Sequence, residues 1–165
     1  ETWVGPDARR GAWLAMEHLL SLGHRRIGFM GQIDSQSRRY RGYREALRRQ
    51  GLASRSAWIR QVDGARSRLS VSGVMQTGFA EMQRLLALAD RPTAVMCQND
   101  VMAIGAMQAA RELGYEPGRD LAVTGYDDTP MAAYLPESLT SVRQPVDRIQ
   151  DVADKMRIDL SLQSG

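Results

Sequence analysis

Apolar residues recur along the chain in two alternating rhythms. Over residues 7–22, Ala12, Met16, Leu19 and Leu20 return at spacings of three and four, and Gly23 follows, which predicts a helix. The short apolar run at 26–31 ends in Gly31 and reads as a buried strand. A second helix is predicted over 38–50, with Tyr43, Ala46 and Leu47 inward and Gly51 at its C-terminal cap. Residues 58–62 form a weaker strand pattern, and 65–73 read as a polar loop rich in Ser and Arg. Phe79, Met82, Leu85 and Leu86 predict a third helix over 78–88, and Arg91-Pro92 breaks the chain. A strand at 93–97 is followed by a helix at 101–113, which Asp100 is placed to cap and Gly114 to end. Strands at 120–126 and 139–142 and a last helix at 146–162 complete the pattern.

Strands alternating with helices of about 10–15 residues predict βαβ units and a parallel sheet. The strands are near-continuous apolar runs, as strands covered on both faces require. The expected fold class is α/β, a doubly wound parallel sheet of five strands in the order 2-1-3-4-5 with right-handed crossovers. Ligands of such sheets sit outside the carboxyl ends of the strands. The segments at that edge are 31–39, 98–100 and 125–128.

Composition narrows the class without changing the fold. The 165 residues are 43% hydrophobic and 25% charged, which excludes collagen, low-complexity disorder and a disulfide scaffold. Cys97 is the single cysteine, so no intramolecular disulfide can form, which fits a reducing compartment. No apolar run approaches the roughly 20 residues of a membrane-spanning helix. The chain begins with Glu1 and is expected to be cut from something longer. Residues 1–68 carry 14 arginines against six acids, whereas residues 69–165 carry eight basic residues against 13 acids. The arginines are scattered over helix faces without interleaved aromatics, so a solvated basic surface is expected rather than a nucleic-acid footprint.

The candidate chemistry is that of binding. There is no G-x-S-x-G elbow, Walker loop or G-x-G-x-x-G motif, so no enzyme activity is expected. His18 and His24 lack metal spacing, and Cys97 is expected to be a small buried hydrophobe; no metal or cofactor is called for. A phosphoacceptor role for Asp127 or Asp128 lacks its partners, because Gly31-Gln32 follows the first strand and Ser141-Val142-Arg143 the last. Asp128 suits a turn cap, which leaves Asp127 for the edge. Asn99 is expected to point into the cleft while Asp100 caps. Arg39 enters its helix from the loop above the first strand. A cleft holding an Arg fork, an Asn amide and an Asp carboxylate suits neighbouring hydroxyls, each of which donates to the carboxylate and accepts from the guanidinium.

Five segments carry a resemblance: HLLSLGHRRIGFMG, RRYRGYREAL, RPTAVMCQNDVMAIGAMQAARELG, DLAVTGYDD and LTSVRQP. In this order and spacing they resemble the effector-binding region of LacI/GalR-type transcriptional repressors, which share the fold of periplasmic sugar-binding proteins. The resemblance runs over nearly the whole chain. It implies two subdomains joined by crossovers, with effector in the cleft between them. Residues 1–143 would form the C-terminal effector-binding subdomain, starting at a crossover near Trp3-Val4-Gly5. Residues 144–165 would be a crossover and a helix of the N-terminal subdomain. On that plan the helix-turn-helix headpiece that contacts operator DNA would lie outside this chain. Arg39, Asn99 and Asp127 match positions that hold effector in the family.

Many sugar-binding members also carry an aromatic platform after the second strand. Here 64–68 and 71–74 hold none, so an acidic or smaller ligand stays open, with Arg66 and Arg68 at hand. The resemblance implies a cytoplasmic regulator responding to a sugar or sugar derivative, with no membrane partner. A periplasmic transport receptor is the alternative. A two-fold homodimer contact is expected at Val101, Met102, Met131, Tyr134 and Leu135. The reasons are that the helix at 101–113 is apolar nearly all round and that this region faces the partner subunit in the resembled family.

Overall fold

The computed structural model describes residues 7–62, 70–135 and 139–144, apart from the side chains of Ala133 and Tyr134. The expected helix over 146–162, the first crossover at Trp3-Val4-Gly5 and the loop arginines Arg66 and Arg68 lie outside the described residues.

The first helix, α1 (Ala8–Ser21), starts where Asp7 accepts the backbone N–H of Arg10 at 3.0 Å. It leads through Gly23, at φ +90°, to β1 (Ile27–Gly31), which is buried throughout. Next comes α2 (Arg38–Arg49), capped by Ser37 through the N–H of Tyr40, and it ends before Gly51 at φ +66°. A 3₁₀ turn (Ser56–Trp58) precedes β2 (Ile59–Gln61). The strand is shorter than expected because Trp58 belongs to the turn, where its indole donates to the Asp90 carbonyl at 2.7 Å.

The third helix, α3 (Val71–Leu86), begins seven residues before the expected start. Ser70 caps it by accepting the N–H of Gly73, so the Ser- and Gly-rich stretch there is the first turns of a helix rather than a loop. Then follow β3 (Ala94–Cys97), α4 (Asp100–Glu112), β4 (Ala122–Asp127), a 3₁₀ turn (Pro130–Tyr134) and β5 (Thr140–Arg143).

The five strands form one parallel sheet in the order β2-β1-β3-β4-β5, as expected. Strand side chains alternate between its two faces. Ile27 and Phe29 of β1, with Ala94 and Met96 of β3, join Ala12, Met16, Leu19, Tyr43 and Leu47 of α1 and α2. Met30, Val95 and Cys97 point the other way, onto Met82, Leu85, Met102 and Ala106 of α3 and α4. Cys97 is fully buried, and burial pushes its thiol well above the ordinary range, so it serves as a small core hydrophobe.

The apolar circumference of α4 has an explanation inside the chain. One side packs on the sheet and the other on α3, at close range. A Cβ at Gly105 would lie 1.9 Å from the Met75 carbonyl oxygen, and one at Gly78 2.1 Å from that of Met102. Met102 is 1% exposed, so its assignment to a subunit contact is corrected: it is core. Val101 and Leu135 are part-buried and Met131 is exposed, while the side chain of Tyr134 lies outside those described.

Candidate functional site

The carboxyl edge of the sheet gathers the ends of β1, β3 and β4. Arg39, the second residue of α2, reaches across this edge to Asp127, the last residue of β4. Arg39 Nη2 lies 3.1 Å from Asp127 Oδ1, with the two side chains 27% and 33% exposed. The guanidinium also stacks on Tyr126, its Cζ 4.1 Å from the ring centroid. Tyr126 is 2% exposed, and its hydroxyl sits against α1, where a Cβ at Gly11 would lie 2.3 Å away. The guanidinium thus lies over a buried ring. Its Nε is buried without a partner among the described residues.

Asp127 Oδ1 takes a second donor, Gln144 Nε2, from the segment that leaves β5. Oδ2 has no hydrogen-bond donor among the described residues. Burial raises the Asp127 carboxyl above its ordinary range; the Arg39 charge and the Gln144 hydrogen bond oppose this, while Asp100 adds to it. Both Asp127 and Asp128 adopt left-handed backbone, at φ +105° and +51°. That turn points successive side chains in different directions.

Asn99 stands at the same edge, at the end of β3. Its assignment and that of Asp100 exchange roles. Asn99 is the N-cap of α4, its Oδ1 accepting the N–H of Met102 at 2.9 Å, so its Nδ2 donor is what it can offer a ligand. Asp100 does not cap. It is fully buried at the first helical position and accepts the Thr129 N–H at 2.6 Å and the Ser141 hydroxyl at 2.5 Å. Asp128 does not cap the turn after it either: its carboxylate pairs with Arg143 on the exposed side of β5. Arg39 and Asp127 therefore meet directly, whereas the side-chain hydrogen bond of Asn99 is spent on its own helix.

Four contributors were not singled out by the spacing argument. Tyr126 reads as one more apolar strand residue, Gln144 as part of a crossover, Ser141 as a polar strand residue and Gln98 as a loop residue. Gln98 is 9% exposed and its Oε1 accepts the Gln32 N–H at 2.8 Å. Gly31, at φ +157°, leaves room for it: a Cβ there would lie 2.6 Å from Gln98 Cβ. The only available signal was position: Gln98 and Gln144 directly follow β3 and β5, while Tyr126 and Ser141 lie within β4 and β5.

A cavity of about 650 Å³ lies elsewhere, on the outer face of α2, lined by Arg9, Arg41, Arg44 and Arg48. Elsewhere the arginine surface is laced with acids: Asp90 takes Arg26 and Arg55, Glu45 takes Arg9 and Arg49, and Glu81 takes Arg60 and Arg84. No cluster of three or more His, Cys, Asp or Glu fit to hold a metal ion occurs among the described residues, and none of their helices is long and apolar enough to cross a membrane.

Comparison with known proteins matches residues 16–161 to the periplasmic binding protein-like domain. The HTH-type transcriptional repressor PurR of Erwinia tasmaniensis is 36% identical over 156 residues, which are 93% of this chain and 43% of that protein. A regulatory protein of the LacI family from Chloroflexus aggregans superposes with a TM-score of 0.78 at 37% identity, over 90% of this chain and 53% of its own. The sugar-binding LacI-family regulator of Escherichia coli, complexed with phosphate, gives 0.77 at 30% identity, over 88% and 50%. A CelR–cellobiose complex gives 0.81 at 28% identity, over 97% and 47%. This chain spans about half the length of these relatives. A sheet in this order and a family match over most of the residues agree: the chain belongs to the periplasmic binding protein-like domain family, as an effector-binding region of the LacI/GalR type.

Proposed function

We propose that this chain forms one wall of a cleft that binds a small polyhydroxylated molecule, a sugar or sugar derivative, and that occupancy governs DNA binding by a headpiece elsewhere in the protein. The observation that carries the reading is the Arg39–Asp127 pair over Tyr126, with Asp127 Oδ2 free of any donor among the described residues. Vicinal hydroxyls match this arrangement, because one donates to the carboxylate while its neighbour accepts from the guanidinium. Asn99 Nδ2 supplies a further donor. Two relatives were solved with cellobiose and with phosphate, which supports a small ligand that is polar or anionic.

In this reading residues 1–143 are the C-terminal subdomain, and 144–165 belong to the crossover and the opposing subdomain. The protein works in the cytoplasm as a homodimer, with Val101, Met131 and Leu135 at the contact. The matched relatives named here are transcriptional regulators, which favours this assignment over a transport receptor.

The test is titration of the full-length protein with monosaccharides, disaccharides and sugar phosphates, by calorimetry and by fluorescence anisotropy on operator DNA. One class of sugar should bind and change DNA affinity. Binding without any change in DNA affinity would remove the regulatory half of the proposal, and no binding across the panel would remove the sugar.

A further inference from the structure

We propose that Asp100 is a positioning residue: with Ser141 it fixes the turn after β4 so that Asp127 faces Arg39. The inference deepens the reading of Asp127 as an effector acceptor and rests on it.

Asp100 is a carboxyl group with 0% exposure at the start of α4, where a buried acid survives only if its oxygens are hydrogen-bonded. Both are. Oδ2 accepts the Thr129 N–H at 2.6 Å, and Oδ1 accepts the Ser141 hydroxyl at 2.5 Å. Ser141 Oγ in turn accepts the Asp128 N–H at 3.0 Å, which commits its single proton to Asp100. The backbone N–H groups of two successive residues, 128 and 129, are therefore tied to one carboxylate, one directly and one through a hydroxyl. These are the residues that follow Asp127.

The turn needs such a tie. Asp127 and Asp128 are non-glycine residues at positive φ, a conformation that costs energy and persists only where surrounding contacts impose it. The contact is built into the sheet. Gly125, two residues before Asp127 on β4, leaves the space for Asp100: a Cβ there would lie 2.2 Å from Asp100 Oδ1. With Asp128 N–H and Thr129 N–H anchored below the edge, the Asp127 carboxylate is left above it, on Arg39.

A purely structural role would change overall stability and leave the Arg39–Asp127 geometry alone. The difference is readable without a ligand. Arg39 lies over the Tyr126 ring, so its guanidinium protons carry a ring-current shift. The experiment is ¹⁵N-edited NMR of the full chain, with the signal assigned by its loss in Arg39→Lys and the released state defined by Asp127→Ala. Ser141→Ala removes the link and should move the Arg39 signal at least halfway to that reference, while circular dichroism stays native. Ser141→Thr keeps the hydroxyl and should hold the signal in place.

An unmoved signal in Ser141→Ala overturns the proposal, as does a Thr variant that behaves like Ala. If Ser141→Ala does not fold, Ser141→Cys, with its weaker donor, is read instead and should lie between. Failure of every variant to fold would mean that the network holds the domain rather than the turn, which also overturns it. No sugar enters this test, so it stands or falls separately from the cleft.

Discussion

Asp127 carries conflicting demands. Burial raises its folded carboxyl above the ordinary value of 3.8, and the Arg39 charge offsets only part of this. A carboxyl raised on folding binds its proton more tightly in the native state. Stability is then greatest with the group protonated, and it falls as pH rises from the ordinary value through the raised one. Above that window the cost is fully present. Asp127→Asn should therefore raise the urea midpoint at pH 7, and the gain should vanish as pH falls below 3.8, the unfolded value. The side chain is 33% exposed, so the effect is small. Asn also tolerates the φ of +105° there. A lower midpoint at pH 7 would mean that the Arg39 pair outweighs burial. At this scale the sequence was legible in part. Arg39 and Asp127 could be found because each belongs to a segment at the carboxyl edge of the sheet. The exchange between Asn99 and Asp100 could not, since either residue type caps a helix and only the approach of Gly125 decides which side chain is buried.

Among the elements, strand order and the four helices within the described residues followed from the alternation of apolar runs, because a strand covered on both faces leaves little freedom of pattern. The start of α3 did not. Gly73 and Gly78 look like breakers, yet at Gly78 α4 comes close enough to leave no room for a Cβ. The same packing explains why α4 is apolar nearly all round without needing a second subunit. It also predicts the sign of a substitution. Gly→Ala inside a helix ordinarily gains about 0.5–1 kcal/mol. At Gly105 the new methyl would sit 1.9 Å from the Met75 carbonyl oxygen, which can yield only if the helices part. Overpacking of this kind costs about 1–3 kcal/mol or more, so Gly105→Ala should be net destabilising in urea titration. A neutral or stabilising result would show that α3 and α4 separate easily.

For the whole molecule, fold class and family were legible, since both rest on patterns spread along the chain. Subunit contacts were less so, because a helix apolar on every side reads the same whether its cover is internal or external. Met131, 42% exposed, is the proposed contact residue that most clearly stays open. Met131→Asp should weaken self-association of the full-length protein at least 10-fold in sedimentation equilibrium. An unchanged constant would move the contact elsewhere.

The central claim is that the Arg39–Asp127 edge holds the effector. Removing the carboxylate leaves Arg39 and a ligand hydroxyl unpaired, and hydrogen bonds to charged groups are worth about 1.5–3 kcal/mol. The most direct measurement is calorimetric titration of full-length protein with whichever sugar the panel identifies, for the parent and for Asp127→Ala. The account predicts affinity weaker by roughly 10- to 150-fold with the fold intact. Equal affinity in the two proteins would contradict it.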